Sequence, residues 1–291
     1  MLKSPLNYVG GKYKLLPQII PLFPNEIDLF VDLFSGGANV GINVEAKKYW
    51  FNDMNYKINE MFRFFSTQDP DELIYNIDEI ITNWNLSKTN QEAFLAFRNY
   101  YNSNPSPINL YVLVAYSYNY QIRFNNSMKF NNPFGKNRSQ FTNNMRSNLY
   151  KFVKRLNEIK PLFTDYLFEH LNLSDLKPND FVYLDPPYLI TRASYNDGNR
   201  GFTNWNENQE LKMYNLLNQL TSNKVRWAMS NVLENKEKQH TLLENFIKNK
   251  SVAVHVLNYN YNNSSYNSKG VGSKEVLITN YDVSNGNILK Y

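Results

Sequence analysis

The stretch that most constrains this chain is Phe181-Val182-Tyr183-Leu184-Asp185-Pro186-Pro187-Tyr188. Four apolar or aromatic residues in a row predict a short buried strand. Asp185 falls where that strand should end. Two consecutive prolines carry no N–H and restrict the residues before them, so the chain leaves the sheet as a stiff extended hook. The hook offers acceptors only: the Asp185 carboxylate and nearby carbonyls, with the flat face of Tyr188 beside them. It suits a planar ring bearing an amine, because two acceptors can take both amine hydrogens while the aromatic face stacks on the ring. The plainer reading of the same residues is a strand ending in a Pro-rich turn, with Tyr188 as a rim aromatic.

Upstream, residues 27–34 predict a strand running into Ser35-Gly36-Gly37-Ala38-Asn39, with a helix carrying Val40 and Val44 expected behind it. Strand, Gly-rich turn and helix open a nucleotide-binding α/β unit, although the full dinucleotide fingerprint is missing. Residues 49–53 predict a second strand ending in Asp53, an acid placed to take ribose hydroxyls. Before both, Gly10-Gly11-Lys12 lets the backbone approach a ligand closely and sets a cation beside it. The spacing is not that of a phosphate-binding P-loop. Leu15, Leu16, Ile19 and Ile20 suggest a short helix stopped by Pro21 and Pro24.

From residue 57 to residue 164 the period becomes helical and no strand signal is clear. Ile58, Met61, Phe62 and Phe65 share a face. So do Leu73, Ile77 and Trp84, after the start signal Asp69-Pro70. Phe94, Phe97 and Tyr101 follow, then a helix over 110–120. Leu149, Phe152, Val153, Leu156 and Ile159 form the last helix, closed by Pro161. Within this part, 119–138 interleaves cations and amides with aromatics. Arg, Asn and Gln make bidentate contacts to base edges, and Lys and Arg reach phosphates. The candidates for nucleic-acid contact are Asn119, Gln121, Arg123, Asn125, Lys129, Asn131, Lys136 and Arg138. A solvated Asn-rich loop is the bland alternative.

The sheet is expected to resume with a weak strand over 166–171 and the strand before Asp185. A polar, mobile loop is expected over 190–205, a helix over 207–220, and a strand over 225–229 ending in Ser230-Asn231. A helix near 242–247 precedes an antiparallel hairpin of 252–257 with 275–279, joined by a long connection over 258–272.

The chain has no cysteine, which excludes disulfides, Cys-ligated zinc and a thiol nucleophile. Its three histidines are scattered, so no metal centre is expected. A net charge of +5 permits a nucleic-acid partner without requiring one. The first residues carry no apolar signal region and no run approaches a membrane span. A soluble cytoplasmic protein is expected.

Taken together and in order, these motifs resemble the DNA adenine-N6 methyltransferases of the Dam/DpnII type, the D12 class with the α order of motifs. The resemblance covers nearly the whole chain. Tyr8-Val9-Gly10-Gly11-Lys12 resembles the N-terminal cofactor motif, and Phe34-Ser35-Gly36-Gly37 the loop under the methionine part of S-adenosylmethionine. Asp32 and Asp185 join the implied cofactor set, with Asp53 as the ribose-binding acid. Arg123-Phe124-Asn125 and Phe130-Asn131-Asn132-Pro133-Phe134-Gly135 resemble the end of a target-recognition insertion. Asp185, Pro186, Pro187 and Tyr188 form the implied catalytic motif. Two positions depart from the pattern. Asn172, the implied cofactor-adenine contact, stands where close relatives carry an acid, and Gln121 stands where GATC-reading relatives carry an apolar residue.

The resemblance implies an α/β fold: a class I, Rossmann-like methyltransferase sheet with a helical target-recognition insertion. Residues 1–56 and 165–291 would form the S-adenosylmethionine-binding catalytic domain, and 57–164 the inserted, mainly helical DNA-recognition domain. The implied activity is site-specific methylation of adenine N6 in double-stranded DNA by base flipping, within a restriction-modification system and without a metal. A cognate restriction endonuclease acting on the same site is a partner the resemblance allows. No membrane partner is expected, and a monomer suffices for an asymmetric site. Cytosine-N4, RNA adenine and protein glutamine methyltransferases remain rivals, as does a non-catalytic DNA-binding homologue. The aspartate before Pro-Pro and the large insertion favour DNA adenine, and intact Lys12, Asp53 and Asp185 argue against the non-catalytic reading.

Overall fold

The computed structural model describes residues 1–8, 10–191, 205–236, 238–258 and 273–283. Its centre is a sheet whose inner strands, β1 (Leu29–Asp32) and β4 (Phe181–Leu184), are buried almost throughout. Continuous apolar runs are what a parallel sheet covered on both faces demands. Around them lie β2 (Lys48–Asn52), β3 (Leu162–Thr164), β5 (Arg226–Asn235), β7 (Ala253–Leu257) and β8 (Lys274–Thr279), in the order β3-β2-β1-β4-β5-β8-β7. The first five are parallel neighbours, β8 runs antiparallel between β5 and β7, and the short β6 (Lys238–Gln239) pairs with β5. The fold is therefore mixed α/β with a mostly parallel sheet. Chain order reverses between β1 and β4, where Val31 pairs with Val182. Open α/β sheets bind ligands beyond the carboxyl ends of their strands at such a reversal.

Alternation along the strands divides the core. Phe30, Phe181 and Tyr183 face one side, where α1 (Leu16–Ile19) and the helices between β2 and β3 pack. Val31, Val182 and Trp227 face the other, under α7 (Glu207–Ser222) and α8 (Thr241–Lys248). The helices between β2 and β3 are α2 (Tyr56–Phe65), α3 (Pro70–Asn83), α4 (Gln91–Ser103), α5 (Pro107–Tyr116) and α6 (Asn143–Ile159). The starts of α3 to α6 are capped as their sequences dictate. Asp69 accepts from Asp71 and Glu72 N–H, Asn90 from Ala93, Ser106 from Asn109 and Thr142 from Met145. Residues 110–116 of α5 are all buried, so this helix forms the axis of the helical part. Phe62 links it to the sheet, with its ring centroid 5.0 Å from Phe152 and 6.3 Å from Phe163 of β3.

Five expected elements are corrected. No α-helix follows the Gly-rich turn; one 3-10 turn, Gly41–Asn43, stands there. Side chains replace the missing helical hydrogen bonds. Asn43 and Asn39 bind the N-terminal segment through Leu2 and Ser4, and Arg155 of α6 donates to the Ile42 and Val44 carbonyls. The strand expected over 166–171 lies earlier, as β3. Asn52 ends the ladder there by bonding both N–H and C=O of Tyr166, leaving 166–170 as a loop with a 3-10 turn at Phe168–His170. Pro21 lies within a 3-10 turn, Ile20–Leu22, rather than ending the first helix. α5 stops at Tyr116, because the Ser117 hydroxyl bonds the Val114 and Gln121 carbonyls and Asn119 turns to φ 53°. β5 also runs on past Met229 to Asn235. Most of the expected loop over 190–205 and nearly all of the connection over 258–272 lie outside the described residues. Among the described residues no helix is long and apolar enough to cross a membrane.

Candidate active site

The ends of β1, β2 and β4 and the N-terminal segment enclose a cavity of about 390 Å³. Tyr8, Gly10, Gly11 and Lys12 line it, as do Asp32, Phe34, Ser35, Gly36, Gly37 and Asp53. From the hook after β4 come Asp185, Pro187 and Tyr188. Of the residues assigned by sequence to catalysis and cofactor, only Pro186 and Asn172 do not line it. Pro186 is buried, and among the described residues its carbonyl accepts no hydrogen bond.

The Gly-rich loop is shaped by two requirements. Gly36 adopts φ +47°, and a Cβ there would lie 2.7 Å from the Tyr8 ring. Only glycine meets both conditions without strain. The Gly36 N–H donates to Asp53 Oδ2 at 2.8 Å and the Asn55 N–H to Oδ1 at 2.8 Å. Asp53 is thus held under the loop with one lone pair on each oxygen still open. Burial pushes its carboxyl up, and these two N–H groups pull it back.

Opposite, Asp185 receives two donors on one oxygen. Lys12 Nζ lies 3.0 Å from Oδ1 and Tyr188 Oη donates to Oδ1 at 3.0 Å. Among the described residues nothing reaches Oδ2. Lys12 also donates to the Gly10 carbonyl at 3.1 Å and sits 4.8 Å from the Tyr188 ring centroid. Burial raises the Asp185 carboxyl above its ordinary value, with Lys12 and Tyr188 opposing. Asp32, at the floor, is pushed well above the ordinary carboxylate range by burial and then by the Asp185 charge, and its Oδ1 has no partner among the described residues.

Of the far wall, the sequence reading named Phe34 and missed the rest. Phe34, Phe168 and Trp205 meet there with centroids 5.5, 5.8 and 5.6 Å apart. Beside them Glu169 accepts from Gln209 Nε2 at 3.0 Å and pairs with Lys212 at 3.2 Å. Asn172 instead caps the local turn, accepting from the Ser174 N–H at 3.1 Å. Phe168 and Glu169 fall in the stretch read as a strand, which hid them. Trp205, at the border of a polar loop, was the available signal.

The polar loop over 117–139 folds back on itself through bridges Ser117–Phe134 and Phe124–Phe130. It abuts the N-terminal segment that lines the cavity, because Asn7 Nδ2 donates to the Asn119 carbonyl at 2.9 Å. Arg123, Lys129, Asn131 and Lys136 present exposed side chains, while Asn119 and Gln121 are half-buried. Asn125 is exposed but accepts from the Ser127 and Lys129 N–H groups, holding the tip. The Arg138 guanidinium lies 5.2 Å over the Tyr118 ring. Asn132, outside the candidate set, is buried and donates to the Tyr118 and Gln121 carbonyls at 2.9 Å each.

Residues 8–268 match the family model described as D12 class N6 adenine-specific DNA methyltransferase. The chain is 59% identical over 288 residues to the modification methylase StsI of Streptococcus sanguinis, covering 99% of this chain and 44% of that protein. It is 51% identical over 280 residues to the type II methyltransferase M.FokI of Planomicrobium okeanokoites, covering 96% and 43%. The DNA adenine methylase of Escherichia coli K12 is 26% identical over 196 residues, 66% of each chain. The chain thus spans less than half the length of the first two relatives.

Proposed function

Because the chain belongs to the D12 class N6 adenine-specific DNA methyltransferase family, we propose that it methylates adenine N6 in double-stranded DNA at a specific site. S-adenosylmethionine would be the donor. The observation that carries this reading is the Asp185 carboxylate, which lines the cavity and is anchored through Oδ1, while no described residue bonds Oδ2. The names of the StsI and FokI relatives support a place in a restriction-modification system.

The cavity suits S-adenosylmethionine. An unpartnered buried carboxylate oxygen on Asp32 matches a cationic ligand, and the glycine cradle at Gly36 and Gly37 lets the ligand lie against backbone. Asp32 would face the positive charges of the donor and Asp53 the ribose hydroxyls. The wall of Phe34, Phe168 and Trp205 would take the purine, with Glu169 beside it. When bound, S-adenosylmethionine supplies an electrophilic methyl group.

The protein's own part is alignment and electrostatics. Adenine N6 is a poor nucleophile because its lone pair is delocalised into the ring. Asp185 Oδ2 and the Pro186 carbonyl would accept the two N6 hydrogens, which draws the nitrogen toward tetrahedral geometry. The Asp185 charge then faces the positive charge that grows on N6. Lys12 and Tyr188 fix the carboxylate through its other oxygen, so it cannot rotate away.

The base must leave the duplex to reach this hook. Flipping costs a few kcal/mol, and stacking on an aromatic is worth about 1–3 kcal/mol per base. Tyr188 offsets part of the cost and the exposed cations of the 117–139 loop supply the rest. Helices α2–α6 with that loop would form the recognition part, and the sheet with its remaining helices the catalytic part. A monomer suffices for an asymmetric recognition site.

The test is single-molecule sequencing of plasmid DNA from cells expressing the chain. N6-methyladenine confined to one short motif is expected. N4-methylcytosine would overturn the target base. Absence of modification together with absence of donor binding by the purified chain would overturn the enzyme reading.

A further inference from the structure

Glu210 lies in the first turn of α7, fully buried, and the reaction above gives it no task. A buried carboxylate is costly unless donors converge on it. Tyr214 Oη donates to Oε1 at 2.8 Å and Asn231 Nδ2 donates to the same oxygen at 3.2 Å. His240 Nε2 stands 3.2 Å from Oε1 but off the hydrogen-bond direction, while its Nδ1 accepts the Leu243 N–H and caps α8. This side of the carboxylate ties α7 to β5 and α8. The other oxygen, Oε2, takes a single donor among the described residues, the Trp205 indole N–H, at 2.5 Å. The start of α7 does not depend on that bond, because Asn206 caps it by accepting from the Asn208 and Gln209 N–H groups. Oε2 therefore controls the ring of Trp205 and little of the backbone.

We propose that Glu210 is a positioning residue for the donor site: through Oε2 it locks the Trp205 indole against Phe34 and Phe168 and sets the wall on which the purine packs. The inference rests on the reading of the cavity as an S-adenosylmethionine site. Glu210→Gln separates the two sides of the carboxylate. Its single amide oxygen serves Tyr214 and Asn231, which turns the NH₂ toward the Trp205 N–H, donor against donor. Trp205→Phe keeps a ring and removes the N–H. Tyr214→Phe removes a donor from the Oε1 side and leaves the Trp205 bond intact.

S-adenosylmethionine binding to the full chain is measured by titration calorimetry, with Tm recorded for each variant. Glu210→Gln and Trp205→Phe are each expected to weaken binding about ten-fold, roughly 1.4 kcal/mol. The double variant should bind no more weakly than either single, as two ends of one interaction must. Tyr214→Phe should lower Tm with donor affinity unchanged. At saturating donor, Glu210→Gln should keep its kcat and show the loss in KM. Wild-type affinity in Glu210→Gln would overturn the proposal, as would equal weakening by Tyr214→Phe, which marks general loosening. If Glu210→Gln does not fold, the contrast between Trp205→Phe and Tyr214→Phe decides alone. Failure of the wild-type chain to bind the donor would instead remove the reading of the cavity itself.

Discussion

Lys12 reaches Asp185 across the mouth of the cavity, with Nζ 3.0 Å from Oδ1, so the first and last motifs of the site are joined by one ion pair. Both groups are largely buried, at 6% and 19% exposure, so removing the cation leaves the carboxylate poorly compensated. Lys12→Met should therefore raise the Asp185 carboxyl further and lower stability, by less than the roughly 3–5 kcal/mol typical of a fully buried pair. Thermal melts of Lys12→Met and of Lys12→Met with Asp185→Asn check this. The second change should recover most of the loss, because it removes the charge that was stranded.

Asp185 and Asp53 should separate chemistry from donor binding. Asp53 organises the Gly-rich loop through two backbone N–H groups, whereas Asp185 lines the cavity and no described residue bonds its Oδ2. Asp185→Ala should cut methylation by about 10²–10³-fold or more, the scale of losing one aligned electrostatic group. Donor affinity should fall less than in Asp53→Ala. Equal loss of donor affinity in the two variants would sink this division of roles.

Gly36→Ala should damage the site from a position that carries no functional group. The left-handed φ costs a residue with a Cβ roughly 1–2 kcal/mol. The added Cβ would also strike Tyr8 at 2.7 Å and push that ring into the cavity. A lower Tm and weakened donor binding are expected together. A circular-dichroism melt and an equilibrium-binding titration on the same sample measure both.

Strands, acids and helices at regular spacing were legible because each rests on local chemistry. Phe181–Leu184 is apolar on both faces, and Asp69-Pro70 opens α3 as its cap dictates. What stayed hidden depends on contacts distant in sequence. Asn52 ends the β3 ladder by imitating a peptide to Tyr166, and Arg155 stands in for a helix at Ile42 and Val44. Phe168 and Trp205 meet Phe34 only after the sheet has formed. The acids at the strand ends could be read because the end of a strand is a local event, whereas the aromatic wall needs three separate segments.

Donor binding should strengthen as pH rises. Burial and the Asp185 charge hold the Asp32 carboxyl well above its ordinary 3.8, so the folded, empty protein keeps that proton more tightly than the unfolded chain does. By linkage, stability of the empty protein is full below the ordinary value and declines as pH rises through the raised one. A cationic donor favours the ionised form, so the Tm gap between bound and empty protein should widen across the same window. Asp53 and Asp185 are raised in the same direction, so Asp32→Asn should flatten the trend without abolishing it. Melts across acid to neutral pH, with and without S-adenosylmethionine, show whether the slope has this sign.

In the 117–139 loop, shape and reading should prove separable. Arg123 is exposed, and no described residue hydrogen-bonds its guanidinium, so Arg123→Ala should leave Tm unchanged. It should weaken DNA binding in one of two ways. A phosphate contact would lower affinity for all sequences alike and reduce the salt slope by about one charge. A base contact would relax specificity at one position, at about 1–3 kcal/mol. Asn132 is the opposite case. Its amide serves the Tyr118 and Gln121 carbonyls inside the loop, and nothing of it faces outward. Asn132→Ala takes one donor from each of those carbonyls, which keep weaker bonds from the Gln121 N–H and the Ser117 hydroxyl, at about 0.5–1.5 kcal/mol per bond lost. It should therefore lower Tm and blunt DNA binding without changing which sequence is preferred. Binding of cognate and scrambled duplexes at two salt concentrations, beside a melt for each variant, distinguishes these outcomes. Unchanged Tm in Asn132→Ala, or a lowered one in Arg123→Ala, would show that the loop is held by something other than its buried amide.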